Sequence, residues 1–326
     1  MKAVQVTQFG QPHVLALTEL PDPEPGPGQV AIDVTHAAVG LIDVYLRQGL
    51  YEGVPGLPQP PYVPGLEVAG TVRALGAGVT DLAIGEQVVT LSASATGGYA
   101  SVYVSDRARV LSTQAHDLDP ALAVAVVPNA LMAHVALTGP IQLHPGDRVL
   151  VHGAFGGLAA AFPGIAKQLG ATRVVGTVRG ERLAGAGAGR LPYDRIVDSA
   201  TMPTALGDEK FDVIVDPVGG QVRTDSLGLL APGGRLLLVG NAGGDWQHGV
   251  DGNRVWQGNF VVAGFNAGGY LPAHPQAVPA AAAAALTAAA SGLADTEIEL
   301  LPLADAATAH ERLENHTARG RVVLVP

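Results

Sequence analysis

The sequence predicts an α/β chain of two domains, one β-rich and one built on a doubly wound parallel sheet. Three observations carry this reading. The 326 residues are about twice the usual size of one domain. The first 110 residues hold short Val- and Ala-rich runs punctuated by Gly and Pro, the pattern of strands and turns. From Arg148 onward short Val/Ile runs alternate with helical stretches, as in a parallel sheet covered on both faces.

Taken in order, strands are expected over 1–6, 29–37, 68–75, 87–91 and 99–104. Pro21, Pro23, Pro25 and Pro27 make an extended connector, because each ring fixes φ and turns the preceding residue away from helix. Residues 119–137 are apolar and helical in pattern, with Pro128 expected to interrupt them. A strand at 148–152 leads through a Gly-rich turn to a helix at 158–169 and a strand at 173–178. Strands follow at 195–197, 211–215, 235–239 and 260–263. Residues 278–294 are mostly alanine, which forms helix well but is barely hydrophobic, so they read as a soluble packed helix with Pro279 in its first turn. A helix at 304–315 and a strand at 321–325 complete the chain, and no internal repeat is visible.

Composition narrows the function. With 48% hydrophobic and 15% charged residues the chain is too apolar to be disordered. A net charge of -10 is the wrong sign for a phosphate-backbone binder, so nucleic acid is not an expected partner. The absence of cysteine removes disulfides, thiolate zinc sites, iron–sulfur clusters and a cysteine nucleophile. The ten histidines show no HExxH or paired-ligand spacing, so no metal is expected. The first residues lack the basic-then-apolar order of a signal peptide, so the expected compartment is the cytoplasm, without a membrane partner. No Gly-x-Ser-x-Gly elbow suggests a hydrolase.

The stretch VLVHGAFGGLA at 149–159 runs from an apolar strand into Gly153, Gly156 and Gly157 and on into a helix. Aligned on the dinucleotide fingerprint, the small positions are Ala154, Gly156 and Ala159. Such a turn needs a tight bend, then bare backbone against pyrophosphate, then close helix–strand packing. A glycine-rich turn alone is weak, but the flanking strand and helix and a second strand about 20 residues on strengthen it. That second strand ends at Thr177-Val178, and Arg179, Gly180, Glu181 and Arg182 follow where a ribose-binding acid would favour NAD. Two arginines favour a cofactor with a 2′-phosphate, although Glu181 remains a candidate ribose acid.

Further segments stand out along the chain: MKAVQVTQFGQPHVLAL at the start, IDVYLRQGLY at 42–51, PYVPGLEVAGTVRALGAGVTDLAIGEQV at 61–88 and GGYASVYV at 97–104. VHGAFGGLA, FDVIVDPVGG at 211–220, LAPGGRLLLVGNAGG at 230–244 and the ending AHERLENHTARGRVVLVP follow. Together, and in collinear order, these segments resemble the zinc-free quinone oxidoreductase (zeta-crystallin-like) branch of the medium-chain dehydrogenase/reductase superfamily.

The resemblance implies a GroES-like substrate domain from residues 1–121 and 266–326, around a Rossmann dinucleotide-binding domain at 122–265. It implies a homodimer, a small-molecule substrate, and hydride transfer from NADPH to a quinone or an α,β-unsaturated carbonyl. With the glycine turn it points to Asn129, Gly153, Phe155, Gly156, Gly157, Leu158, Thr177, Gly240, Asn241 and Phe265 as cofactor-binding residues. Arg179 and Arg182 join them from the reading above, substituting for Lys and Tyr partners of the 2′-phosphate that some relatives have and this chain lacks at matching positions. Tyr45 and Tyr51, on the motif DxYxRxGxY with Asp43, Arg47 and Gly49, border the substrate cleft in the family. Either phenol is a candidate proton donor to a developing enolate, or a half-buried packing residue. Asp43 and Arg47 are four apart, so on a helical turn they are expected to pair.

The chain also departs from the family. Gly40 stands where the family usually has Asn beside the nicotinamide, and Met132 where it usually has Thr. The zinc relatives' Gly-His-Glu is here Gly65-Leu66-Glu67. Pro163 falls within the expected helix after the glycine turn, at a cost of roughly 3 kcal/mol or a kink. Two other readings therefore stay open: a non-redox biosynthetic enzyme (cyclase, lyase or isomerase) on the same fold, and a non-catalytic NADPH-binding protein.

Overall fold

The computed structural model describes residues 1–91, 96–183 and 190–326. The chain forms two compact units, Met1–Pro128 with Glu297–Pro326, and Asn129–Thr296. The first begins with strands β1 (Lys2–Val6), β2 (Leu15–Glu19) and β3 (Gln29–Ala38), then helix α1 (Leu41–Gln48). Strands β4 (Glu67–Leu75), β5 (Gln87–Thr90), β6 (Val102–Asp106) and β7 (Val110–Ser112) follow, then helix α2 (Pro120–Thr138). The second unit holds β8 (Arg148–His152), α3 (Phe162–Gln168), β9 (Arg173–Val178), β10 (Arg195–Asp198), α4 (Met202–Leu206), β11 (Phe211–Asp216) and α5 (Gln221–Leu229). It continues with β12 (Leu230–Leu238), α6 (Gly252–Gly258), β13 (Val261–Gly264), α7 (Ala267–Ala273) and α8 (Val278–Ala290). The chain then returns to the first unit as β14 (Ile298–Pro302), α9 (Ala306–Glu314) and β15 (Arg321–Val325).

In the first unit β14-β15-β3-β4-β5-β7 form one sheet, β6 also pairs with β3, and β1 and β2 form a separate hairpin. Ile32 and Val34 are buried while Asp33 and Thr35 are exposed, the period of two that puts one strand face on a core. That core gathers Val30, Ile32, Val68, Val88, Tyr99, Val322 and Leu324 from both ends of the chain. β2, β7 and β14 lie outside the expected strands. All three are short, and β2 and β14 are largely exposed or half-buried, so none carries a clear apolar alternation.

The second unit is an all-parallel sheet in the order β10-β9-β8-β11-β12-β13. Its strand order reverses between β8 and β11. In open α/β sheets ligands bind outside the carboxyl ends of the strands at such a switch point. The turns after β8 and β11 are therefore the candidate place for a site. Leu150, Val175, Phe211, Ile214, Leu227 and Leu236 fill the core around this sheet.

Two prolines behave differently from expectation. Helix α2 runs through Pro128 without a break. Val124, Val127, Ala130 and Leu131 are buried around it, and this packing offsets the hydrogen bond that proline cannot make. By length and composition α2 is apolar enough to cross a membrane, but most of it is buried in the fold, which accounts for its apolar character. Pro163 proves not to be interior. A 3₁₀ turn at Ala159–Ala161 precedes α3, and Pro163 sits in the first turn of α3, where its missing N–H has no partner to lose.

The expected division near residue 266 falls instead between 296 and 297. The alanine helix α8 is the reason. Ala281, Ala285, Ala288 and Ala289 are buried along one face. Gln168 at the end of α3 donates to the Ala284 carbonyl at 3.4 Å. A Cβ on Gly164 of α3 would lie 2.1 Å from the Leu293 carbonyl, so only glycine allows the chain after α8 to pack there.

Candidate functional site

The turn after β8 is held from several sides. Gly153 has φ +63°, a left-handed conformation that favours glycine. Its carbonyl accepts from the Gly156 N–H at 2.7 Å, which closes the bend. Ala154 is fully buried, and its N–H donates to the Thr177 carbonyl at 2.9 Å. Gly156 is exposed, and Phe155, Gly157 and Leu158 are half-buried, so bare backbone faces outward as the fingerprint requires. The Tyr193 hydroxyl lies 3.2 Å from the Ala154 carbonyl and 3.3 Å from that of Ala159, bracing the turn from beneath. Sequence reasoning missed Tyr193, which carries no motif.

Asn129 and Thr177, both expected at the cofactor, each make a side-chain contact within the protein. Asn129 is buried, and its Nδ2 donates to the Gly157 carbonyl at 3.0 Å, so it positions the glycine turn. The Thr177 hydroxyl lies inside the sheet, 3.0 Å from His152 Nδ1. His152 Nε2 is 2.9 Å from Ser226 Oγ, which itself donates to the Val222 carbonyl. Ser226 must therefore accept from Nε2–H, and Thr177 donates to Nδ1. Burial lowers the His152 pKa and keeps the ring neutral, as this pattern needs.

Across the switch point Asp216 is fully buried and organises the turn after β11. Its Oδ1 accepts from the Val218 and Gly219 N–H groups, each at 2.8 Å, and Oδ2 accepts from Arg223 Nε at 2.8 Å. Arg223 Nη2 also donates to the Gly240 carbonyl at 3.1 Å, tying this turn to the one after β12. There Asn241 is buried with both side-chain amide atoms unpartnered. A buried amide without a partner is costly, and a bound ligand would supply one. Phe265, buried after β13, packs its ring 5.3 Å from that of Tyr270.

At the end of β9 Arg179 is exposed, with Nη2 3.5 Å from Glu181 Oε1, and Arg182 is half-buried. Glu181 is thus engaged with Arg179. A second acid, which the sequence did not single out, lies close by. Asp198 Oδ2 is 2.6 Å from where a Cβ on Gly180 would be, so this β10 carboxylate packs against the backbone between the two arginines.

In the first unit Gly40 precedes α1, Tyr45 lies on it and Tyr51 in the turn after it. Both tyrosines are half-buried, and burial raises both phenol pKa values, so they are neutral donors near pH 7. Gly40 has φ -118°, and a Cβ there would meet nothing closer than 3.5 Å. The backbone thus does not require glycine at this position. Met132 is half-buried on α2.

The expected Asp43–Arg47 pair is not formed. Arg47 is fully buried and pairs with Glu314 of α9, which also accepts from Gln48 at 2.7 Å. Asp43 instead accepts from three donors: Gly40 N–H at 2.8 Å, Gly65 N–H at 3.2 Å and Tyr99 O–H at 3.3 Å. Both side chains point inward, where backbone donors and a distant helix compete better than an i,i+4 neighbour. Burial pushes the Asp43 carboxyl up to about 6, aided by Glu67 and opposed by its N–H donors and Arg321. Glu67 is buried and paired with Arg321 of β15, and Leu66 beside it offers no metal ligand. Among the described residues no three His, Cys, Asp or Glu side chains group as a metal site would need.

Known proteins agree with this architecture. Residues 26–117 match the family model described as alcohol dehydrogenase GroES-like domain, and residues 191–324 the one described as zinc-binding dehydrogenase. Quinone oxidoreductase from Lama guanicoe is 33% identical over 251 residues, 74% of each chain. The crystal structure of a Pseudomonas syringae quinone oxidoreductase matches with a TM-score of 0.86 and 30% identity over 100% of this chain and 99% of that one. That of the Escherichia coli quinone oxidoreductase complexed with NADPH matches with a TM-score of 0.87 and 26% identity over 100% of both. A GroES-like unit joined to a Rossmann sheet, with collinear similarity to these relatives, places this chain in the medium-chain dehydrogenase/reductase superfamily, in its quinone oxidoreductase branch.

Proposed function

We propose that this protein is a zinc-independent, NADPH-dependent reductase that delivers hydride to a quinone or an α,β-unsaturated carbonyl. The observation that carries the reading is the set of turns at the carboxyl ends of β8, β11 and β12, beside the switch point. The turn after β8 offers bare backbone at Gly153–Gly157, and the turn after β12 leaves the Asn241 amide buried and without a partner. Gly156, Gly157 and Leu158 would lie against the pyrophosphate, Arg179 and Arg182 against the 2′-phosphate, and Gly240, Asn241 and Phe265 nearer the nicotinamide. NADPH supplies the hydride when bound, as the cofactor of the E. coli relative. The chain's own task is to orient the acceptor, exclude water and donate a hydrogen bond where oxyanion charge develops. Tyr45 and Tyr51 are the groups proposed for that donation, because each is a half-buried phenol that carries its proton at neutral pH.

Zinc independence is supported by the absence of cysteine and by Leu66. A homodimer is supported by β13, which ends the parallel sheet with Val261 exposed and the neighbouring Trp256 75% exposed. Sedimentation that gives a monomer at assay concentration would remove the dimer. We place the protein in the cytoplasm, with a small-molecule substrate and no nucleic-acid or membrane partner.

The test is loss of reduced-nicotinamide absorbance with quinones and enones, run in chelator. Turnover is expected to survive chelation, and activity lost with one stoichiometric zinc would overturn zinc independence. Tyr45→Phe or Tyr51→Phe is expected to lower enone turnover by about tenfold or more, with a smaller effect on quinones, whose carbonyls are protonated from solvent. Parent rates on enones in both variants would remove the phenols from the mechanism. NADPH binding without turnover on either class would leave the non-redox enzyme, to which Gly40 and Met132 point, and the non-catalytic NADPH-binding protein.

A further inference from the structure

The start of α1 is held by one buried carboxylate, and that group lies outside the chemistry described above. Asp43 occupies the third helical position, and Oδ2 reaches back to the Gly40 N–H at 2.8 Å, capping the helix it belongs to. Oδ1 accepts from the Gly65 N–H at 3.2 Å, in the segment before β4. That approach depends on Gly65. Its φ is +97°, and a Cβ there would lie 2.5 Å from Tyr99 Cδ1 and 2.7 Å from the Tyr99 nitrogen. Oδ2 also accepts from the Tyr99 hydroxyl, which lies 3.2 Å from His310 Nε2 of α9. A single side chain thus fastens α1 to the 65-turn and, through Tyr99, to α9.

We propose that Asp43 is a positioning residue for reduction: as a carboxylate it clamps Gly40, Gly65 and Tyr99 together, and so holds α1, with Tyr45 and Tyr51, in working geometry. This rests on the function proposed above for those two tyrosines. All three partners are donors, so the clamp needs an ionised acceptor, and charge-assisted bonds of this kind are roughly twice as strong as neutral ones. Protonation turns one oxygen into a donor facing donors. Its proton then goes to the Tyr99 oxygen, the Tyr99 proton turns to His310 Nε2 with that neutral ring in its Nδ1–H tautomer, and the bond from Gly40 loses its charge assistance.

The other ionisable groups around Asp43 set where this happens. Glu67 raises its proton affinity and Arg321 lowers it. Tyr62 is also within electrostatic reach of Asp43, which raises the Tyr62 phenol while Arg47 lowers it. Burial keeps His310 neutral, its pKa lowered to about 3, so it is available as an acceptor. With the Asp43 carboxyl near 6, the clamp is complete above that pH and lost as pH falls through it. The sign for overall stability is the reverse. The folded state holds this proton more tightly than the unfolded chain, so Asp43's own contribution to stability grows as pH falls from about 6 toward 3.8.

The experiment has two arms. In the first, kcat and KM for NADPH-driven reduction of 1,4-naphthoquinone and of a cyclic enone are measured from pH 5 to 8. The parent is expected to lose kcat on the enone below pH 6, with the KM for NADPH unchanged. Asp43→Asn should be roughly tenfold slower at pH 7.5 and lack that inflection, because misplacing a catalytic group by about 1 Å is costly. Asp43→Asn with the parent's rate and inflection would overturn the proposal. The second arm uses the parent alone, so it survives a variant that fails to fold. Hydrogen exchange of the Gly40–Leu46 and Gly65 amides, corrected for intrinsic rate, should lose protection below pH 6 while β3 and β4 keep theirs. Protection unchanged through pH 6 would overturn the clamp. Absence of turnover on either substrate class would count against the proposed reduction, and the exchange arm would still decide Asp43.

Discussion

Replacing Arg47 by Ala is expected to destabilise the unit made of both chain ends by about 3–5 kcal/mol, the range for removing one partner of a buried ion pair. Arg47 is fully buried and pairs with Glu314, whose carboxylate is 18% exposed. Removal leaves Glu314 with only the Gln48 amide and opens a void between α1 and α9. Arg47 Nε and Nη1 have no hydrogen-bond partner, so the desolvation of this guanidinium is incompletely offset. Arg47→Met should therefore cost much less than Arg47→Ala, because it fills the space without burying a charge. Urea unfolding followed by near-ultraviolet signal reads both. If Arg47→Ala stays within about 1 kcal/mol of the parent, the pair behaves like a surface one and does not hold α1 to α9.

That contact also marks how far the sequence was legible. The parallel sheet could be read from short apolar runs alternating with helical stretches, while its strand order came from the structure. Gly153 and Gly156 announced themselves because a bend and an exposed backbone leave a compositional trace. What left no trace was pairing between distant segments. Local spacing suggested Asp43 with Arg47, yet Arg47 meets a residue 267 positions away and Asp43 meets backbone N–H groups. Thr177 sits at the expected end of β9, but alternation along the strand turns its hydroxyl to His152 inside the sheet. Pro163 suggested a kink because the helix was drawn from the end of the turn. A single 3₁₀ turn moves the proline to the one region of a helix that tolerates it.

Replacing both Arg179 and Arg182 by Ala is expected to weaken NADPH by roughly ten- to a hundredfold, with much less effect on NADH. A charge-assisted contact to a phosphate is worth about 1.5–3 kcal/mol, and only NADPH carries the group these side chains would read. The two arginines lie at the carboxyl end of β9, where the adenosine ribose falls in this fold. Arg179 must exchange its 3.5 Å contact with Glu181 for the phosphate, which holds the gain toward the lower end of that range. Asp198 works against the same preference. Its carboxylate packs on Gly180, between the arginines, and would repel a dianionic phosphate. Asp198→Asn is therefore expected to tighten NADPH severalfold and leave NADH nearly unchanged or slightly weaker. Fluorescence titration of the parent and both variants with each cofactor, at low and high salt, measures these constants, and any NADPH advantage should shrink with salt. Equal losses for NADPH and NADH in the double variant would mean that the arginines do not read the 2′-phosphate. The cofactor preference would then have to come from residues other than these two.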